Sequence, residues 1–181
     1  MQNNQQGISF IEILVALLLI SILLSMTTNI FFARRPRQAQ KDFYAQFLVL
    51  VDYATSSAVM QKKVYKVDFD LEHKNIGLAQ FDPASQATNK HERFTPIAHT
   101  SDTMINIPPF TTLKNFFING VDELHRSVKT EHVWFYIMPD GSSQSIIMNF
   151  ENEQESSNNQ YAFCINPFYS RVTLHEAFQK P

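Results

Sequence analysis

The chain has 181 residues, a formal net charge of -2, 44% hydrophobic and 18% charged residues. That balance belongs to a folded protein, not a disordered one, and gives no broad electrostatic case for nucleic acid or an anionic surface. The single cysteine, Cys164, cannot close an internal disulfide and reads as a small apolar side chain buried in a strand.

The first element is an apolar run, Ile8 to Phe32, of 25 residues. A helix of that length crosses a hydrocarbon core of ~30 Å. A cleavable secretory signal would need a basic n-region and a shorter apolar core, but Met1 to Gly7 (MQNNQQG) has no basic residue. A plain anchor fits the length and leaves Glu12 unexplained. An ionisable group costs roughly 2.5–3.5 kcal/mol at the centre of a spanning helix and less near its end. Glu12 lies just over one turn past Gly7, where the helix dipole favours a negative charge. If the bond after Gly7 is cut, Ile8 carries a free α-amine and Glu12 becomes the fifth residue of the new N-terminus. The ammonium of one copy and the carboxylate of its neighbour, both in an apolar layer, then pair and set the axial register. Read this way, Glu12 is an assembly lock and not a catalytic carboxylate.

Gly7-Ile8-Ser9-Phe10-Ile11-Glu12, followed by the unbroken apolar run, resembles the processing site of type IV prepilins and type II secretion pseudopilins. The resemblance implies cleavage after Gly7 by a membrane prepilin peptidase, methylation of the Ile8 amine and a register role for Glu12. Ser9, Phe10 and Ile11 complete the motif. Two features depart from it: the leader lacks Lys or Arg, and Arg34, Arg35 and Arg37 follow the apolar run. By the positive-inside rule alone the C-terminal domain would lie in the cytoplasm, whereas the motif implies the periplasm. The motif takes precedence because its Gly-to-Glu spacing has no other good account.

Beyond Pro36, which is expected to bend the helix, Phe43, Phe47, Leu50, Ala54 and Ala58 recur at spacings of three and four and make an apolar stripe. A helix from Ile8 to about Lys62 would be on the order of 80 Å long, with its later half lying against a sheet. Strands follow. Val67, Phe69 and Leu71 alternate with Lys66, Asp68 and Asp70; Glu72 to Asn75 turns; Ile76 and Leu78 begin a returning strand. Asp82 to Thr103 lacks periodicity and reads as a long loop. Met104 to Ile107 is a short strand stopped by Pro108 and Pro109, and Leu113 to Ile118 is another. Val133, Phe135 and Ile137 alternate with Trp134 and Tyr136, apolar on both faces, which predicts a central strand. Pro139-Asp140-Gly141 turns the chain into Ile146, Met148 and Phe150. An acidic loop, Glu151 to Gln160, precedes a closing hairpin through Tyr161, Phe163, Ile165, Val172 and Leu174.

The fold class is α+β and pilin-like: a long N-terminal helix, transmembrane in its first half, packed against antiparallel β-sheets. Four parts are expected: residues 1–7 a prepilin leader, 8–32 a transmembrane and assembly helix, 33–62 its amphipathic continuation, and 63–181 a periplasmic β-rich domain. The order of parts, with VDYATSSAVMQKKVYKVDFDLEHKNI, WFYIMPDGSSQSIIMNF and INPFYSRVTL, looks like the H-type minor pseudopilins and their FimT relatives. A major pilin's C-terminal disulfide loop is ruled out by the single cysteine, and Glu151 to Glu155 lacks the ligand spacing of a calcium loop.

No enzyme signature stands out. None of His73, His91, His99, His125, His132 and His175 forms an i, i+4 metal pair around a glutamate. Gly141-Ser142-Ser143 lacks the second glycine of a nucleophile elbow, and four glycines leave no phosphate-cradling loop. Asp68 and Asp70 share one strand face and read as a solvated edge. No cofactor is implied. The leading functional expectation is a minor pseudopilin of the type II secretion pseudopilus, in the bacterial inner membrane by a single pass, that helps assemble or cap the filament driving export across the outer membrane. Its partners would be other pseudopilins or minor pilins, the prepilin peptidase, the inner-membrane assembly platform and the lipid bilayer. The alternative is a FimT-like minor pilin of a type IV pilus, serving DNA uptake or adhesion. Arg171 and Lys180 are the only Lys or Arg after Lys129, so a nucleic-acid partner is disfavoured on charge.

Overall fold

A computed structural model describes residues 10–85, 93–97, 103–125, 130–153 and 159–181, with only the backbone for residues 23–37. Helix α1 spans Phe10–Gln61 and includes Pro36. The chain divides into two compact units, Met1–Gln38 and Ala39–Pro181. In the first, residues 10–38 are helical, and every described side chain from Phe10 to Ile22 is exposed.

In the second unit the expected stripe is buried: Phe43, Phe47, Leu50, Ala54 and Ala58, joined by Val51. The helix ends in a Schellman cap. Lys62 takes a left-handed conformation (φ 57°), and the Lys63 N–H donates back to the Ala58 carbonyl at 3.3 Å, which satisfies a carbonyl that the last turn would leave open.

Among the described residues ten strands form two antiparallel sheets. Sheet A holds β1 (Tyr65–Asp70), β2 (Asn75–Phe81), β3 (Phe94–Pro96), β4 (Met104–Asn106) and β7 (His132–Ile137) in the order β3-β2-β1-β7, with β4 also on β2. Sheet B holds β5 (Thr111–Ile118), β6 (Val121–Asp122), β8 (Ile146–Asn152), β9 (Gln160–Ile165) and β10 (Val172–His175) in the order β10-β9-β8-β5-β6. Period-two alternation sends Tyr65, Val67 and Phe69 of sheet A and Met148, Phe150, Tyr161 and Phe163 of sheet B into one core with the helical stripe. Aromatic rings fill it. Phe43 packs edge-on against Phe150 at 5.6 Å, Phe47 stacks on Phe163 at 5.3 Å, and Phe47 also meets Phe69 at 6.0 Å, so one helix face touches both sheets. Burial drives the Tyr161 hydroxyl up to about 12.

Four sequence expectations need correction. Among the described strands β7 pairs with β1 alone, apart from a single bridge from Ile137 to Ser143, and is an edge strand, not a central one. Its second apolar face is half-buried under its own sheet instead: Phe94 meets Tyr136 at 5.4 Å, and the Lys66 ammonium sits 5.4 Å from the Trp134 ring. The stretch from Asp82 to Thr103 is not loop throughout, because β3 pairs with β2 through Ala79↔Pro96 and Phe81↔Phe94; residues 86–92 and 98–102 lie outside the described ones. Asp68 and Asp70 stand on β1, flanked by β2 and β7, and are no sheet edge. Cys164 sits on β9 as expected but is half-buried, on the face away from the core.

Candidate functional site: the N-terminal assembly segment

Of the residues expected to carry processing and assembly, Gly7, Ile8 and Ser9 lie outside the described residues, as do the side chains of Arg34, Arg35 and Arg37. Phe10 and Ile11 open α1, 76% and 68% exposed. Glu12 stands in the first turn, where unpaired backbone N–H groups and the dipole favour a carboxylate.

The side chains around Glu12 define what this segment can do. Phe10, Ile11, Ile13, Leu14, Val15, Leu17, Leu18, Leu19, Ile20 and Ile22 are all exposed. Consecutive positions point to every side of a helix, so this stretch is apolar and exposed all round. Such a surface requires lipid or other apolar helices around it. The one hydroxyl in the described part bonds inward, Ser21 Oγ to the Leu17 carbonyl at 2.8 Å, so it asks nothing of the surroundings. Among the described residues no helix is long and apolar enough to cross a membrane; the apolar run Ile8 to Phe32 includes residues 8–9 and the side chains of 23–32, which lie beyond that description.

Elsewhere several ionisable groups are engaged in structure. The Asp70 carboxylate is held below its usual range first by the His73 N–H, and the same pair raises His73, whose Nδ1 lies 2.8 Å from Asp70. Burial works against the Asp122 carboxylate, yet hydrogen bonds from Asn115, Phe116 N–H, His125 and Leu124 N–H hold it low. His132 is 3.7 Å from Asp68, which also pairs with Lys66 at 3.3 Å. His175 contacts Thr173, and His91 and His99 lie outside the described residues. Among the described residues no three His, Cys, Asp or Glu side chains are grouped to hold a metal. An open apolar groove of about 700 Å³ runs between helix residues 39–49 and the stretch 104–110.

The N-terminal sequence matches a known motif. Residues 2–28 match the family described as the prokaryotic N-terminal methylation motif, and the segment from Gly7 to Glu12 falls inside that match. The chain therefore carries a prepilin-type N-terminus ahead of an α+β fold. Two solved structures of the minor pseudopilin EpsH from the Type 2 Secretion System of Vibrio cholerae are similar to it, at TM-scores of 0.47 and 0.48 and identities of 10% and 11%. They cover 76% and 80% of this chain and 93% and 94% of theirs. No curated protein matches the chain.

Proposed function

We propose that this chain is a minor pseudopilin, a structural subunit that helps assemble or cap the pseudopilus of a type II secretion system. The observation that carries the reading is the match of residues 2–28 to the N-terminal methylation motif. Gly7 is the cleavage residue, Ile8 the methylated terminus and Glu12 the register residue that pairs with the Ile8 amine of a neighbour. Residues 1–7 are the leader, 8–32 span the inner membrane, 33–62 continue the helix, and 63–181 form the periplasmic domain. Support for the helix as the joining element comes from its apolar girdle, whose described side chains from Phe10 to Ile22 are exposed. Support for the pairing comes from chemistry, since a carboxylate in an apolar layer is stabilised by a cation brought to it. The partners are other pilin-like subunits, the prepilin peptidase and the assembly platform, and the chemistry proposed for the chain is non-enzymatic.

The test is made on protein extracted from its native membrane. Mass spectrometry should find a terminal peptide beginning at a methylated Ile8, and Gly7→Leu should leave the precursor. Glu12→Ala should be cleaved normally yet fail to co-purify with other pilin-like subunits. A wild-type chain that still begins at Met1 would refute the reading. Loss of secreted proteins on deletion of the gene, with surface pili unchanged, separates secretion from the pilus alternative.

A further inference from the structure

Asn119 and Gly120 join β5 to β6 as a two-residue loop, since Ile118 pairs with Val121 across them. Both take positive φ, 49° and 88°, which is the type I′ hairpin turn that an Asn-Gly pair favours. The turn is tied to the approach to β8 at two atoms of Asn119. Its N–H donates to the Ser145 carbonyl at 2.8 Å, and its Oδ1 accepts from the Ser145 N–H at 3.1 Å. Beyond the turn, the Asp122 carboxylate accepts from Asn115 Nδ2, the Phe116 N–H and the Leu124 N–H at 2.8 to 3.2 Å.

The same two residues carry a reactive pair. A side-chain amide followed by a residue without a side chain is open to attack by the next backbone nitrogen. The Gly120 nitrogen bonds to Asn119 Cγ, the Cγ–Nδ2 bond breaks, and Nδ2 leaves as ammonia with the proton from Gly120. Water then opens the succinimide ring at either carbonyl and leaves aspartate or isoaspartate. The five-membered ring closes only when the Gly120 nitrogen lies on the same side of the Cα–C bond as Cβ. In a type I′ turn ψ at the first position is about +30°, which for an L residue carries that nitrogen to the side away from Cβ. The closed turn keeps the reacting atoms apart, and the ties to Ser145 fix both the backbone and the amide.

Few contacts hold this turn closed. β6 is two residues long and stands at the end of sheet B; Val121 is 46% exposed, and Asn119 and Gly120 are exposed as well. A pairing this short opens locally far more often than the core does. We propose that Asn119-Gly120 is a latent self-modification site, inert in the closed turn and deamidated when the β5–β6 end opens by itself. Isoaspartate inserts one methylene into the main chain. A two-residue turn has no slack to absorb it, so the pairings Ile118↔Val121 and Phe117↔Asp122 shift, and Asp122 loses its alignment with the Phe116 and Leu124 amides. The inference rests on this hairpin alone and is independent of the processing motif.

The test follows the full chain in detergent at mildly alkaline pH, digested at acidic pH at intervals. Mass spectrometry of the peptide spanning Asn119 reads the change from amide to acid, and its retention distinguishes isoaspartate from aspartate. Conversion should run about tenfold or more slower than in a free peptide of residues 115–124. Asp122→Ala, which removes the acceptor at the exit of the turn, should quicken it about tenfold. Val121→Gly, on the exposed end of β6, should act in the same direction. Phe163→Leu, which loosens the core and leaves every tie of the turn in place, should leave the rate unchanged. The isoaspartate form should exchange its Phe116 and Leu124 amide hydrogens faster than the parent. A chain that converts as fast as the free peptide, or failure of both turn variants to quicken conversion, overturns protection by the closed turn. Acceleration in Phe163→Leu equal to that in Asp122→Ala assigns the reaction to global unfolding and overturns local opening. Unchanged exchange at Phe116 and Leu124 overturns the shift in register.

Discussion

Phe163 joins the helix to sheet B, and its removal gives a measurable loss. The ring is fully buried and lies within 5.1 to 5.6 Å of five others: Phe150, Phe47, Phe43, Tyr44 and Tyr161. Three of those rings come from α1 and two from the sheet. Truncating a buried Phe to Ala costs about 3–5 kcal/mol, from lost transfer energy and the cavity left behind. Each aromatic pair adds ~0.5–1.5 kcal/mol beyond its buried area, and five partners in contact place Phe163→Ala near the top of the range. Rings fixed from two sides cannot collapse into the gap. A domain of this kind holds only about 5–15 kcal/mol in all, so the loss is a large share of it.

Thermal unfolding of the full chain in detergent, followed by near-UV circular dichroism, should show the melting midpoint of Phe163→Ala fall by roughly 10–15 °C. Phe163→Leu, which keeps most of the volume, should lose about 1–1.5 kcal/mol. Hydrogen exchange should quicken at amides of the buried stripe Phe43, Phe47 and Leu50 before it does in sheet A, since the lost rings hold that face. Phe168→Ala is the control: the ring is 76% exposed and its loss should stay within about 0.5 kcal/mol. A Phe163→Ala midpoint within about 3 °C of the parent would refute the claim that this ring cluster docks the helix.

Three further outcomes are expected. Lys74 reaches from the β1–β2 turn to the carbonyls of Pro109 (2.7 Å) and Thr111 (3.5 Å); Lys74→Met should cost about 1–2 kcal/mol in urea unfolding, and no change in midpoint would remove that tie between the sheets. Gly141 has φ +83°, and an added Cβ would stand 3.3 Å from Val59 Cγ2; Gly141→Ala should therefore destabilise by about 1–3 kcal/mol, read by the same melt. The His73–Asp70 pair gives a pH dependence of known sign. Because His73 is raised above 6.5 by Asp70, its contribution is complete below that value and fades as pH rises through the higher folded value. Because Asp70 is held below 3.8, its contribution is present above that value and fades as pH falls through the lower one. Asp70→Asn should bring the His73 midpoint in an NMR titration down toward 6.5, and an unmoved midpoint would exclude the pair as the cause.

Local signals were the legible ones. The stripe Phe43-Phe47-Leu50-Ala54-Ala58 and the alternation at Val67-Phe69 announce themselves by period, and both are buried in the expected sense. Pro108 and Pro109 stop β4 where proline must. β7 misled because an all-apolar strand has two explanations, a central place in a sheet or an edge place with a covered back. Phe94 and Lys66, which provide that cover, are distant in sequence, and no periodic pattern links them to Trp134 and Tyr136. β3 and β6 were missed for a related reason: three and two residues are too short to show a period. At the N-terminus the signal was of another kind. Glu12 is singled out by the incompatibility of a carboxylate with an apolar helix, which is chemistry read at one position, and Gly7 only by the resemblance of the segment around it to a processing motif.

The two units also differ in how far each satisfies its own surface, and that difference locates the demand for partners. In the second unit apolar faces find cover within the chain: the back of β7 has Phe94 and Lys66, and the outer face of sheet B has the segment carrying Gln179. Lys74 and the Asp122 carboxylate cap backbone groups of β5 and its approach that would otherwise invite another strand. Phe168 and Tyr169 remain open on a single turn, as do Val49, beside the apolar groove, and Met60 on the helix. In the first unit nothing of the kind exists from Phe10 to Ile22, where large apolar side chains face outward on all sides around one acid. Close-packed neighbours or lipid must supply there what the chain does not. Under the proposed reading an acid in such a girdle discriminates between the two, because lipid tails offer it no cation and the amine of a cleaved neighbour would.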